Sequence, residues 1–309
     1  MRFTNIIGQH KIKKKLDFFL DVYDKTNIFP NSILIAPKGT GKTSLAFEIA
    51  RNLTKSDKSG KKPLIPINCA SITSASRFWT DYYFRYIQGN ECTIIFDECS
   101  ELNKELSIQF LTLFNPNSKN ENTLSLLDFD VTFSFNKHSF IFCTTESHKV
   151  LSPLMDRLER IELEEYKIND LCQIIKENVK ANIRDEIVYS IASCIRCNPR
   201  KAVDISNKIN SYLTSKSKKS FEDADWQVIK EKLGILDLGL SELEVRALRI
   251  IALKRNIKLT ALAAKMGMSK AAMMHDIENY LKKFDLIEIN ENGRQITREG
   301  EVYLQNLKS

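Results

Sequence analysis

The sequence contains no apolar run approaching the ~20 residues that a membrane-spanning helix needs, which excludes a helical membrane span. Its opening stretch, "MRFTNIIGQHKIKKKL", places the basic run after the apolar one and offers no small-residue cleavage site, so it does not read as a secretory signal. No 20–50-residue repeat and no long low-complexity tract are present. A lone C-x-x-C (Cys194, Cys197) has no second pair and no histidine nearby, which argues against a structural zinc site. The seven cysteines are an odd set, several of them inside apolar runs, and read as reduced core thiols of a cytoplasmic protein. An excess of one charge is also lacking: 46 Lys and Arg against 39 Asp and Glu give a net +7, which permits a polyanionic partner without requiring one.

The 309 residues are too many for one compact core and suit two or three domains. Four short apolar runs, at 32–36, 63–68, 93–97 and 139–145, read as buried strands. Helical patterns lie between them ("KTSLAFEIARNL", "ASRFWTDYYFRYI", "NKELSIQFLTLF"), so the expected fold is α/β with a parallel sheet covered on both faces. After Lys167 the strands stop and three helical patterns follow, at 169–179, 184–195 and 199–213. From Gly239 three helices and a short hairpin are expected. The expected divisions are an α/β core over 1–167, an all-helical unit over 168–234 and a helix-and-hairpin unit over 235–309. Two polar, basic stretches, 54–63 and 214–220, read as solvated loops.

"APKGTGKT" (36–43) directly follows an apolar strand and opens a helix, the strand–loop–helix context of a P-loop. Backbone N–H groups of Lys38, Gly39, Thr40, Gly41, Lys42 and Thr43 would wrap a phosphate at a helix N-terminus. Lys42 would reach the β/γ oxygens of ATP, and the Thr43 hydroxyl would hold Mg²⁺. The usual first glycine is Ala36, a position that needs a small side chain more than a positive φ. "TIIFDE" puts Asp97 and Glu98 at the C-terminal end of a strand, where parallel sheets bind ligands. Asp97 suits the metal's water shell, and Glu98 suits the polarisation of an attacking water. Thr144 and Thr145 end a further strand. A hydroxyl there would sense the γ-phosphate, although two β-branched residues finishing a strand would look the same. Arg157 is spaced to reach a neighbouring subunit's ATP, and Arg200 opens a helix that would fold back onto the phosphates of its own subunit.

In that order the motifs "APKGTGKT", "IIFDE", "CTTE", "PLMDRLERIELEEY" and "NPRKA" resemble the AAA+ ATPases and, within them, the RuvB family of hexameric branch-migration motors. The resemblance implies a P-loop AAA+ sheet domain, a helical lid and a C-terminal winged helix. It makes Thr144 or Thr145 sensor 1, Arg157 an arginine finger acting in trans, and Arg200 sensor 2. It places Tyr166 and Pro199 near the adenine, with Ile6 and Ile7 completing that pocket. It also implies a homo-oligomeric, hexameric ring that translocates duplex or branched DNA. Met155 stands where the family has arginine, and Ser100 where it has histidine. The insertion over 115–137 is where the family docks a junction-binding partner; here it is expected to form a hairpin around its Asn-rich turn with Leu124, Leu126 and Leu127 exposed. Lys, Ile and Asn richness points to an A/T-rich, viral genome, and the expected location is the cytoplasm of a bacterial or phage-infected cell.

"KLTALAAKMGMSKAAMMHDIENYLKKFDLIEINENGRQIT" reads as a winged helix-turn-helix. Residues 260–266 form its first helix, Gly267 supplies the turn, Ser269 caps a second helix to Lys283, and Asn292-Gly293 turns the hairpin. Lys270, Lys282 and Lys283 are candidate phosphate contacts. Arg294 corresponds to the family's wing arginine that reaches into DNA. Residues 235–309 hold 12 Lys and Arg against 10 Asp and Glu, which argues for backbone contact without sequence readout. A clamp-loader or helicase-loader switch, an initiator or transposition regulator, and an ATP-independent DNA adaptor are the alternatives.

Overall fold

A computed structural model describes residues 2–126 and 128–307. They fall into two compact units, Met1–Ile183 with Cys197–Ser220, and Arg184–Arg196 with Phe221–Ser309. The division therefore runs through the stretch 168–234 and not at its ends.

The first unit holds a five-stranded parallel sheet of order β2-β3-β6-β1-β7: β1 (Ser32–Ile35), β2 (Leu64–Asn68), β3 (Cys92–Asp97), β6 (His138–Thr144) and β7 (Glu159–Glu162). The first four are the strands read from the apolar runs. The edge strand β7 was not legible as one, because only Ile161 of its four residues is buried. Adjacent residues in the central strands point to opposite faces, and both faces are covered. On one face Ile33, Ile94, Phe96, Phe140 and Phe142 pack with Phe78 of α3 (Ala75–Phe78), Trp79 of the π-helical continuation (Trp79–Ile87), and Phe110 of α4 (Lys104–Leu113). The Phe96 and Phe142 rings stack with centroids 4.7 Å apart. On the other face Leu34, Ile95, Ile141 and Cys143 meet α1 (His10–Thr26) and α2 (Lys42–Asn52). Each such fully buried large side chain contributes roughly 1.5–3 kcal/mol. Because the strands are parallel, the ends of β1, β3 and β6 that carry the P-loop, Asp97 and Thr144 lie on one edge of the sheet.

The insertion does form a hairpin, β4 (Glu121–Ser125) with β5 (Asp130–Ser134), but its strands are joined after Ser125, where Leu126 N–H donates to Phe129 O at 2.8 Å, and not at the Asn-rich segment. The Asn-rich segment is the approach to β4. Asn122 donates to the carbonyls of Leu113 (3.0 Å) and Asn115 (2.7 Å), and Asn117 to that of Glu121 (3.0 Å), holding the segment as a folded loop. Leu124 and Leu126 are half-buried against the sheet core and not exposed, drawn in by the fully buried Val131 and Phe133 of the partner strand. Leu127 lies outside the described residues. After a short helix α5 (Ser152–Met155) and β7, this unit ends with α6 (Ile168–Asn178) and, beyond α7 (Asp185–Ser193) of the other unit, α8 (Pro199–Lys216).

The second unit joins α7 (Asp185–Ser193) and α9 (Asp223–Lys232) to a winged helix. The latter comprises α10 (Glu242–Lys254), α11 (Leu259–Met266), and a second helix running from α12 (Lys270–Ala272) through a π stretch (Met273–Glu278) to α13 (Asn279–Lys283). The hairpin β8 (Ile287–Asn290) with β9 (Gly293–Ile296) follows, then α14 (Arg298–Asn306). Gly267 ends α11 with φ +68, and Ser269 caps the second helix by accepting from Ala272 N–H at 3.1 Å, as the pattern required. Met266 and Met273 are buried core residues beside Leu248, Ile251, Leu262, Ile277 and Leu281. The hairpin turn is Glu291-Asn292, since Asn290 pairs with Gly293. Gly293 is required for another reason: at φ +131, a Cβ there would come within 2.5 Å of the Ile257 carbonyl, with which the chain bridges at Arg294.

Candidate nucleotide-binding site

The P-loop turns sharply from β1 into α2. Gly39 (φ +83) and Gly41 (φ +89) occupy left-handed backbone, and a Cβ on Gly39 would meet the Asn198 side chain at 2.7 Å. Ala36 has no positive φ and is buried, so a small side chain satisfies that position. Thr40 does not line the cavity. Its hydroxyl donates to Pro37 O at 2.7 Å and braces the loop. Lys42 is buried, and its Nζ donates to the carbonyls of Ala36 (2.8 Å) and Pro37 (3.1 Å). Burial lowers its pKa, while the carboxylates of Glu98 and Asp97 act in the opposite direction. Thr43 Oγ1 donates to Asp97 Oδ2 at 3.0 Å, and Asp97 Oδ1 accepts the Glu98 N–H at 3.1 Å. That second bond, with Glu98 at φ +50, turns the chain at the end of β3 so that both carboxylates face the cavity.

The cavity, about 590 Å³, is lined by Lys38, Gly39, Gly41, Lys42, Thr43, Asp97, Glu98, Ile6, Ile7, Tyr166, Pro199 and Arg200 among the residues expected from sequence. The N-terminal strap bearing Ile6 and Ile7 is pinned by Gln9, whose amide donates to Glu164 O (2.7 Å) and accepts Glu164 N–H (2.9 Å). Burial raises the pKa of Tyr166, keeping its phenol neutral at the cavity wall. The outer wall was missed. Ile174, Glu177 and Asn178 of α6, with Val203, Asp204 and Asn207 of α8, line it, and none carries a motif signal. Asn198 was missed as well. As N-cap of α8 it accepts from Arg200 N–H at 3.0 Å and donates to Lys38 O at 3.4 Å, while Arg200 N–H donates to Gly39 O at 3.2 Å. The "NPR" triplet, an Asn before a proline at helix position N1, was its legible signal.

A glycine cradle at a helix N-terminus, a lysine aimed at it and a Thr–Asp pair beside a second carboxylate form a nucleoside triphosphate site. Residues 32–166 match the model of the ATPase family associated with various cellular activities (AAA), and residues 237–305 match that of the RuvB C-terminal winged helix domain. Residues 32–166 form an AAA ATPase domain, and the chain resembles RuvB over nearly its whole length. The Holliday junction branch migration complex subunit RuvB of Mycoplasmopsis pulmonis is 27% identical over 99% of this chain and 96% of its own. That of Thermotoga maritima is 26% identical, covering 97% and 89%. The solved structure of Thermotoga maritima RuvB superposes with a TM-score of 0.75 at 23% identity, over 98% of this chain and 97% of that one, and shares its fold.

Besides Thr40, several positions singled out in the sequence lie outside the cavity lining or carry a different contact. Thr144 is fully buried, and its Oγ1 accepts Glu146 N–H at 3.0 Å, so its hydroxyl serves the turn after β6; Thr145 is half-buried. Arg157 Nη1 donates to Pro153 O (2.6 Å), and its Nη2 reaches Asn115 Oδ1 (3.4 Å). Met155 packs partly against the sheet core, and Ser100 sits half-buried in the turn after Glu98. Arg294 does not project from the wing tip: Nε donates to Glu278 Oε2 (2.9 Å) and Nη2 to Oε1 (3.3 Å), with the two side chains 14% and 5% exposed. Glu278 lies on the second helix, so a local reading of the hairpin could not reveal it. Lys270, Lys282 and Lys283 are exposed.

Among the described residues no group of three His, Cys, Asp or Glu side chains could hold a metal alone, and Cys194 and Cys197 belong to none. One carboxylate and one hydroxyl 3.0 Å apart fit Mg²⁺, which takes few protein ligands and completes its shell with phosphate and water. No described helix is long and apolar enough to cross a membrane.

Proposed function

We propose that the protein is a ring-forming, ATP-driven DNA translocase of the RuvB kind, driving branch migration of Holliday junctions or similar branched DNA in a bacterial or phage-infected cell. What supports the reading most is one chain carrying both a complete P-loop site and a winged-helix unit matched to the RuvB model. A loader switch of the clamp-loader type would end in a helical collar, and residues 237–305 form a winged helix instead.

In this mechanism Ile6, Ile7, Tyr166 and Pro199 hold the adenine, and the 38–43 backbone and Lys42 hold the phosphates. Thr43 and Asp97 would hold Mg²⁺, which when bound neutralises charge on the β and γ oxygens. Glu98 orients and deprotonates the attacking water. Thr145, the less buried of the two threonines, positions that water. Arg200, on the lid helix anchored to Gly39, contacts the phosphates of its own subunit. Arg157, which does not line that subunit's cavity, completes the site of the next subunit, which makes hydrolysis depend on a closed head-to-tail ring. A hexamer with duplex contacted through its backbone follows, with Lys270, Lys282 and Lys283 as phosphate contacts. The 115–137 hairpin is the docking place for a junction-binding partner. The test is imaging with an ATP analogue and a four-way DNA junction, together with strand-exchange assays. A closed hexamer around duplex is expected; an open five-membered spiral would overturn the reading.

A further inference from the structure

The lid is divided between the units. Helices α6 and α8 wall the nucleotide cavity, whereas α7 and α9 belong to the unit of the winged helix, linked there by Trp226 Nε1 to Ser190 Oγ at 3.1 Å. One of the chain's crossings between units lies at Arg196–Cys197, and the contacts on its two sides are specific. On the winged-helix side, a Cβ on Gly239 would come within 2.2 Å of Cys194 O, so only glycine allows α7 to end there. Arg196 then donates Nε to Gly239 O at 2.6 Å, Nη1 to Glu244 Oε1 at 3.1 Å and Nη2 to Glu244 Oε2. Its guanidinium also lies 4.0 Å from the centroid of the Tyr280 ring. Glu244 is fully buried, and its Oε2 further accepts the backbone N–H (2.7 Å) and hydroxyl (2.8 Å) of Ser241. On the other side, the next residue but one is Asn198, which caps α8 and donates to Lys38 O in the P-loop. The residues at the crossing, Arg196 (φ +56) and Cys197 (φ +52), are consecutive non-glycine residues in left-handed backbone. Such strain persists only where flanking contacts over-determine it, and the flanking contacts here are the two clamps.

We propose that Arg196 is the coupling residue of the motor: it locks α7 and α9 to the winged helix as one body, so that any displacement of Asn198 at the P-loop is delivered to the DNA-contacting unit. This rests on the motor reading above. A planar fork bonded to both oxygens of a buried carboxylate and stacked on an aromatic ring fixes orientation as well as distance, which a lysine ammonium cannot do. Arg196 is a positioning residue, not one of those that line the nucleotide cavity.

The test places spin labels, introduced as unnatural amino acids, at Tyr189 on α7, Arg249 on α10 and Ser211 on α8, with and without a non-hydrolysable ATP analogue. In the otherwise unaltered protein the 189–249 distance should stay single and independent of nucleotide, while the 211–249 distance shifts. In Arg196→Ala the 189–249 distribution should broaden, with basal ATP hydrolysis within about twofold and its stimulation by duplex DNA lowered about tenfold. Arg196→Lys should behave as Arg196→Ala for coupling while retaining more of the thermal stability. A 189–249 distance that changes with nucleotide, an Arg196→Ala protein that couples normally, or one that loses basal hydrolysis in step with stimulation would each overturn the proposal. Absence of duplex stimulation in the unaltered protein would instead count against the motor reading, leaving the distances to decide the coupling.

Discussion

The phosphate loop and the wing are both built on a glycine followed by a basic residue, Gly41-Lys42 and Gly293-Arg294, yet the two cations end in opposite situations. Lys42 donates to the carbonyls of its own loop and lines the cavity beside Glu98 and Asp97. Arg294 is spent internally, both of its bonded nitrogens on the buried carboxylate of Glu278. The first arrangement leaves a positive charge available to a ligand; the second makes the wing arginine a structural ion pair. A glycine turn beside a cation thus says where a phosphate could lie, and the carboxylates within reach say whether the cation is free to meet it.

The largest effects that could break this contrast lie at the nucleotide site. Glu98→Gln should lower ATP turnover ~10²–10⁴-fold with nucleotide affinity retained, and Arg157→Ala should lower it ~10³–10⁵-fold. Mixing Arg157→Ala subunits with Lys42→Ala subunits should restore part of the rate, because each supplies what its neighbour lacks; a mixture as inactive as its components would remove Arg157 from the neighbouring site. At the wing, Arg294→Ala should act first on stability, by about 3–5 kcal/mol in denaturant unfolding, since Glu278 is left charged and unpaired. Lys270→Ala should instead leave stability unchanged and reduce the salt dependence of DNA binding by about one ion. An Arg294→Ala protein that is fully stable but weak on DNA would erase the difference between the two basic residues.

Acid separates the units further. His138, buried at the start of β6, has its pKa lowered by burial from 6.5 to about 4. The unfolded chain therefore takes up the proton first, and stability falls as pH drops from 6.5 toward 4 and is flat above. The loss should reach about 3 kcal/mol in urea melts across that range, and His138→Phe should flatten it. The smallest expected effect is at the lid contact: Asn198→Ala removes a helix cap worth about 1 kcal/mol and should raise the KM for ATP a few-fold in steady-state assays. An unchanged KM would show that the α8 cap does not shape the nucleotide cavity.

Much of the nucleotide unit was legible because its signals are short-range. Apolar runs of strand length alternating with helical periodicity gave four of the five strands, and the edge strand β7 escaped because three of its four side chains are not buried. The 36–43 loop, Asp97 and Glu98 were readable because backbone geometry and strand ends dictate their placement. The Asn-rich stretch misled for a related reason: Asn117 and Asn122 do bond the backbone locally, but to hold a loop ahead of the hairpin, while the alternating burial of Val131 and Phe133 fixed the pairing of β4 with β5. Thr144 and Thr145 could not be told apart until the Glu146 N–H claimed one of them.

The amino-acid sequence by itself determined the parallel sheet, the glycine loop that opens α2, the acidic pair at the end of β3 and the helix-turn-helix with its wing, since each follows from periodicity, capping or turn chemistry within a few residues. Only the tertiary structure decided that Glu278 neutralises Arg294, that α6 and α8 close the cavity, and that the lid is split so that Arg196 binds Glu244, 48 residues on. Those outcomes depend on which distant side chains folding brings within hydrogen-bond reach, and charge pairing over such separations leaves no periodic trace in the chain.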